Sequence, residues 1–182
     1  DFGAKGDGTT DDTTAINRAL QQIYKTGYNE TQPLSRRKIY FPGGTYLITD
    51  TIFIPTNAKL VGDGISSTVI KQTQANKFTA NLCDSKFQSG ANLGSGGALL
   101  PDNIELDGIK FFNSNTSTAN PIFVIDSSSN VVIRNTEFSS NSSGGNLVTI
   151  NSNVASSFRI AFTNCKFIRA GNAISILNSS NN

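Results

Sequence analysis

The sequence predicts an all-β chain wound as a right-handed parallel β-helix, a solenoid carrying one capping α-helix at its N-terminus. Three observations predict it. The segments 104–111, 131–138 and 160–167 match position by position when laid over one another, at offsets of 27 and then 29 residues. A companion strand recurs after or between them, at 123–126, 148–151 and 174–177. The only convincing helical periodicity lies near the start, ahead of every strand. Self-similarity at such a period marks a solenoid, in which each repeat is one coil that buries its apolar face only against its neighbours.

The chain begins with the Gly-rich stretch Gly3 to Gly8, followed by Thr9-Thr10-Asp11-Asp12, which read as a turn and helix-capping residues. Ala15, Ile16, Ala19, Leu20 and Ile23 then recur at helical spacing, which predicts one amphipathic helix over about 12–24. Residues 26–37 are polar and carry Gly27 and Pro33, the composition of a loop. Residues 1–37 are thus expected to form a cap.

From Lys38 onward the pattern is short strands with turn punctuation. Apolar alternation at 38–41, 45–48, 51–54, 59–61 and 68–71 is separated by Pro42-Gly43-Gly44, Pro55-Thr56-Asn57 and Gly62-Asp63-Gly64. A loop is expected over about 73–101, and residues 38–182 are read as the first coils of a longer solenoid. Within the repeat, the period of two sends Ile104, Val131 and Ile160 inward with Leu106, Ile133 and Phe162, and places Phe111, Phe138 and Phe167 in a third inward column. Gly108, Asn135 and Asn164 share one turn, where Gly and Asn tolerate left-handed backbone, and an internal Asn ladder there is expected to satisfy turn groups.

The 182 residues are enough to bury a core as one domain. Hydrophobic residues make up 37% and charged residues 15%, so polarity rests on Ser, Thr, Asn and Gly rather than on ions. With 15 Lys+Arg against 13 Asp+Glu, and the basic residues scattered apart from Arg36-Arg37-Lys38, no nucleic-acid partner is indicated. No stretch approaches the ~20 apolar residues of a membrane span. Cys83 and Cys165 are too few for a disulfide framework. There is no histidine, so a His base, a His metal ligand or a Ser-His-Asp triad is excluded within these residues.

Asp1 to Asp12 with its helix, then Ile39-Tyr40-Phe41-Pro42-Gly43-Gly44-Thr45-Tyr46, then Leu60-Val61-Gly62-Asp63-Gly64 resemble the N-terminal signature of the pectate-lyase-like β-helix superfamily. The resemblance implies a helix that caps the first coil and so hides strand edges and an apolar end. It also implies one of several activities, since the superfamily holds polysaccharide lyases, glycoside hydrolases, epimerases, and the tail spikes and fibres of bacterial viruses.

The signature residues invite other readings. Asp7 to Asp12 suggests a cation site, but the spacing fits no calcium loop, and a turn with helix caps explains the same residues. Gly62-Asp63-Gly64 lacks the Lys-Ser/Thr and helix of a phosphate cradle. No metal or cofactor is therefore expected. The sequons at Asn29, Asn115, Asn141 and Asn178 are expected by chance in a chain this rich in Asn, Ser and Thr.

Glycoside cleavage needs paired carboxylates, and Glu105, Asp107 and Glu137 all point outward from the same group of coils. Asp107 and Glu137 are the candidate catalytic residues; no substrate-binding residue is singled out. The same alignment puts Lys110, Glu137 and Lys166 in one column of alternating sign and Asp107 beside Arg134, the pattern of a stabilising charge ladder. The function expected is a module of a viral tail spike or fibre, in the virion tail, that binds host surface polysaccharide, with its degradation by the full-length chain left open. Its expected assembly is a homotrimer with other tail components, without membrane insertion. The alternatives are a secreted polysaccharide lyase or hydrolase and a purely structural β-helix adhesin.

Overall fold

The computed structural model describes residues 2–24, 38–55, 57–73, 80–81, 102–116, 121–152, 157–168 and 171–177. Its strands fall into three sheets, and every pair in every sheet is parallel. The first sheet stacks β2 (Ile39–Phe41), β5 (Lys59–Gly62), β8 (Asp102–Asp107), β11 (Ser129–Arg134) and β14 (Phe158–Thr163). The second stacks β1 (Asp7–Asp11), β3 (Gly44–Ile48), β6 (Thr68–Gln72), β9 (Lys110–Asn113), β12 (Glu137–Ser140) and β15 (Lys166–Ile168). The third stacks β4 (Ile52–Phe53), β7 (Ala80–Asn81), β10 (Phe123–Asp126), β13 (Asn146–Asn151) and β16 (Asn172–Leu177).

The chain visits first, second and third sheet in turn and then begins again one strand further along. That order is a β-helix, and its parallel crossovers take the right-handed sense such connections follow. The solenoid predicted from the repeat is the fold observed.

The core is built of columns. Leu60, Leu106 and Ile133 stack on one another in the first sheet, beside Ile104 and Val131, and all five are fully buried. In the second sheet Phe111, Phe138 and Phe167 stack nearly parallel, with centroids 5.4 and 5.6 Å apart. Phe123 of the third sheet meets Phe111 and Phe138 edge-on at 5.1 and 5.5 Å. Strand spacing of ~4.8 Å makes such stacking automatic once like residues share a register. A polar inward column, Gln72, Asn113 and Ser140, runs beside these rings.

Helix α1 (Thr13–Tyr24) joins this core through Ile16, Ala19 and Leu20 and packs against β4. Ahead of it, residues 7–11 were expected to form a turn, yet they run as β1, pairing with β3 at Asp7↔Thr45 and Asp11↔Leu47. The segment has no apolar alternation because it is a mostly exposed edge strand. A second departure is β7, which lies inside the loop expected over 73–101 and bridges β4 to β10. Nearly all the rest of that loop, the whole 26–37 segment, Cys83 and the sequons at Asn29 and Asn178 lie outside the described residues.

The turn between the first and second sheets is where Gly108, Asn135 and Asn164 stand, with φ of 68°, 48° and 51°. The expected ladder forms there on the outside of the coil rather than inside. Asn164 Nδ2 donates to Asn135 Oδ1 at 2.8 Å, and Asn135 Nδ2 donates to Asp107 Oδ1 at 2.8 Å, all in exposed positions. A left-handed residue at this corner directs its side chain to solvent, and turn backbone is satisfied by the neighbouring coil: Gly108 N–H bonds Arg134 O, and Asn135 N–H bonds Thr163 O.

Burial predicts the consequences of mutation. Phe138→Ala is expected to cost about 3–5 kcal/mol, because it empties a fully enclosed site between two stacked rings. Glu137→Ala, which removes a covered ion pair whose Lys110 stays part-exposed to solvent, is expected to cost clearly less. Chemical unfolding of the two variants checks this, and equal losses would mean that the inward and outward assignments are reversed.

Candidate functional site

The signature residues prove to be the ties that hold the first coils. Asp12 is buried, and its two carboxylate oxygens accept the N–H groups of Lys5 and Gly6 at 2.7 and 3.0 Å. Asp7 accepts from both backbone and hydroxyl of Thr9 and Thr10, and the Thr10 N–H above all holds its carboxyl far below the usual range. Asp11 takes the N–H and hydroxyl of Thr13 on one oxygen and the Thr49 hydroxyl on the other. Burial raises its pKa, but those bonds from Thr13 and Thr49 outweigh burial and lower it. With the oxygens of these three carboxylates so engaged, the cluster works as a clasp between β1, α1 and β3.

Gly62-Asp63-Gly64 is likewise a tie. Asp63 accepts the Tyr40 hydroxyl at 2.6 Å on one oxygen and the Gly43 N–H at 2.8 Å on the other, so the third signature motif grips the second. Gly62 and Gly108 approach so closely that a Cβ on either would stand 2.6–2.8 Å from the other's carbonyl oxygen. A side chain at Gly108 would also be strained by its positive φ.

What remains for chemistry is the outer surface. On the outer face of the first sheet, Tyr40, Val61, Asp107, Arg134 and Thr163 stand in one row, with Lys59 and Glu105 beside them. Lys59 Nζ bonds Glu105 Oε1 at 2.8 Å. Arg134 reaches both acids of the neighbouring strand, Glu105 at 3.5 Å and Asp107 at 3.9 Å. On the outer face of the second sheet, Glu137 lies between Lys110 and Lys166, bonded to Lys110 at 2.8 Å. Glu137 is only 7% exposed although it lies on the outward side of β12, a strand buried along its whole length.

The two catalytic candidates therefore stand on different sheets, on either side of the Gly108 corner. Glu105 and Asp107 are the nearer pair: two residues apart on one strand face they are separated by about 7 Å, within the span of an inverting glycosidase. Such a pair needs one carboxylic acid that keeps its proton near neutrality. Glu105 goes the other way, since the hydrogen bond from Lys59, with help from the charges of Lys59, Arg134 and Lys38, overcomes desolvation and pushes its pKa down. Among the described residues, no three of His, Cys, Asp and Glu converge as metal ligands. Cys165 occupies the column of Thr136; its thiol donates to Thr163 O as the Thr136 hydroxyl donates to Arg134 O.

Tyr40 is the residue that the sequence reading missed. It lies in the alternating run Lys38-Ile39-Tyr40-Phe41, and a large aromatic at the outward position was the signal available. Tyr40 is 57% exposed, while Ile39 and Phe41 on either side are buried.

The family described as "Rhamnogalacturonase A/epimerase, pectate lyase-like" matches residues 1–100. The chain belongs to this family. A "Probable glucan endo-1,3-beta-glucosidase" from Arthroderma benhamiae is 40% identical over 72 residues, covering 39% of the chain and 8% of the relative. "Alginate lyase 7" from Azotobacter vinelandii is 38% identical over 78 residues, again 39% of the chain and 8% of the relative. The structure of ORF18 from Geobacillus virus E2 superposes with a TM-score of 0.57 at 25% identity, covering 97% of the chain and 39% of the viral chain. The chain thus spans less than a tenth of these curated relatives and about two fifths of the viral protein.

The lowered pKa values of Glu105, Asp7 and Asp11 give stability a definite pH dependence. A depressed carboxylate stabilises the fold above its unfolded pKa and loses that contribution as pH falls through the folded value. Stability is therefore expected to be flat from pH 7 to about 5 and to decline below the ordinary carboxylate range of roughly 4. Glu105→Gln is expected to lower the thermal midpoint slightly at pH 7, with a difference from the parent that narrows steadily below pH 4.5, the usual glutamate value. A difference that stays constant down to pH 3 would show that the Lys59 ion pair is not its source.

Proposed function

We propose that this chain is the polysaccharide-binding β-helix module of a viral tail spike or tail fibre, located in the virion tail and assembled as a homotrimer with other tail components. In this reading residues 1–37 cap the solenoid, and residues 38–182 are the opening coils of a longer one that binds, and downstream of these coils degrades, host surface polysaccharide. The observation that carries the binding is the outer face of the first sheet. It is polar and fixed strand by strand, and it offers hydroxyl-matching donors and acceptors on a regular scaffold. The likeness to the Geobacillus virus E2 protein runs through cap and coils alike and supports the viral setting.

A secreted polysaccharide lyase or hydrolase is the second reading, favoured by the 40% identity to the glucosidase. That match covers 72 residues, fewer than the family match over 1–100, and the signature residues of that N-terminal part are spent on hydrogen bonds within the cap and first coils. A match of that extent fits a shared stretch of β-helix and leaves the chemistry open. On the same ground Asp107 and Glu137 are read as members of charge ladders and not as an acid and a nucleophile.

The expected outcome is binding without turnover. Incubated with a panel of acidic and neutral polysaccharides, the chain is expected to release no reducing ends and no unsaturated products, while it sediments with at least one insoluble polysaccharide. Turnover that disappears in Asp107→Asn or Glu137→Gln would overturn this reading and make those residues a catalytic site. Failure to bind any polysaccharide would overturn the binding role.

A further inference from the structure

Among the described residues four large apolar side chains are exposed: Tyr40, Ile168, Ile176 and Leu177. The last three belong to β15 and β16, which, like β2, pair on one side only. Tyr40 is different in kind, because it stands on the outward side of β2, where a polar residue would have served the fold equally well.

The ring is exposed but not loose. Its hydroxyl donates to Asp63 Oδ1 at 2.6 Å, and Asp63 is itself immobilised by the Gly43 N–H on Oδ2 and by its own N–H donating to the buried Thr68 Oγ1 at 2.9 Å. Thr68 in turn donates to Phe41 O at 3.1 Å. An aromatic side chain fixed at its rim, with ring surface in solvent, has already lost the rotamer freedom that binding would otherwise cost. Flat aromatic surface of this kind suits the apolar face of a pyranose ring.

The row leading away from Tyr40 decides what kind of sugar fits. Val61, Asp107, Arg134 and Thr163 follow on successive strands, about 19 Å over four strand steps. Along this face the carboxylates of Asp63, Glu105 and Asp107 are matched by the cations Lys38, Lys59 and Arg134. Arg134 and Lys59 already hold acidic partners, so a uronate polymer would have to displace them and would meet the remaining carboxylates as like charges. A neutral sugar instead donates its hydroxyls to Asp107 and accepts from the free edges of Arg134.

We propose that Tyr40 is the stacking platform of a binding subsite for a neutral polysaccharide laid along the outer face of the first sheet, with Asp107 and Arg134 contacting its hydroxyls. This rests on the polysaccharide-binding reading given above and names the place and the class of sugar.

Native electrophoresis through gels cast with laminarin, dextran or alginate tests it, with the full chain and its variants side by side. The chain is expected to be retarded by at least one of the two neutral glucans more than by alginate. Tyr40→Ala is expected to weaken that retardation about tenfold, the size of one aromatic anchor, while Tyr40→Phe retains most of it. Circular dichroism checks that Tyr40→Ala is folded. If it is not, Val61→Glu puts charge and bulk beside the ring without touching Asp63, and is expected to abolish retardation. Glucan retardation unchanged in the folded Tyr40→Ala variant, or in Val61→Glu, would overturn the site while leaving polysaccharide binding intact. Retardation confined to alginate would overturn the neutral class, and no retardation in any gel would overturn the underlying reading along with the site.

Discussion

Everything in this molecule depends on the corner at which the chain leaves the first sheet for the second. In the three coils from β8 onward the turn is only two residues long and one of them adopts left-handed backbone, Gly108, Asn135 and Asn164 standing one above another. Because the corner repeats with the same length, strands on either side of it return in the same register: Asp107 under Arg134 under Thr163, Lys110 under Glu137 under Lys166. Fixed register then places Phe111, Phe138 and Phe167 face to face inside and alternates charge outside. A slip by one residue at any corner would exchange those two sets. The same geometry explains the contact between Gly62 and Gly108, where a coil without room for a Cβ meets its neighbour.

A solenoid has the further problem of where to begin, and here the family's signature finds its physical meaning. Asp12 gathers the N–H groups of Lys5 and Gly6, Asp11 joins the helix start to Thr49, and Asp63 joins Tyr40 to Gly43. These carboxylates are oriented by neighbouring N–H and hydroxyl donors, which fits structural ties better than general acids or bases. Family membership therefore says how the first coil is closed, and proteins with different activities can share it. The proposed binding role rests instead on the outer faces of the coils.

Most of the coil architecture was legible in the sequence because its signals are local. The inward columns follow from the period of two within each strand, and their mutual register follows from superposing 104–111, 131–138 and 160–167. What was not legible depends on three dimensions. The polar run Asp7 to Asp11 becomes a strand only because Thr45 and Leu47 lie beside it. The Asn column faces outward because a left-handed corner points its Cβ to solvent, a matter of rotation that residue type does not reveal. Asp107 and Glu137 share a group of coils in the sequence, yet the Gly108 corner turns them onto different sheets. Tyr40 looked like one more strand aromatic until its partner Asp63, 23 residues away, showed that the ring is held at the surface.

If the corner is the controlling element, its demand is for backbone conformation first and for the asparagine amide second. Asn135 separates the two, since it has φ of 48° and also links Asp107 to Asn164 through its side chain. The decisive measurement is the chemical unfolding of Asn135→Gly beside Asn135→Ala. Glycine keeps access to the left-handed region while both variants lose the amide, so the alanine variant is expected to be less stable than the glycine variant by about 1 kcal/mol or more. Equal stability of the two, both well below the parent, would show that the exposed amide ladder and not the backbone corner holds the coils in register.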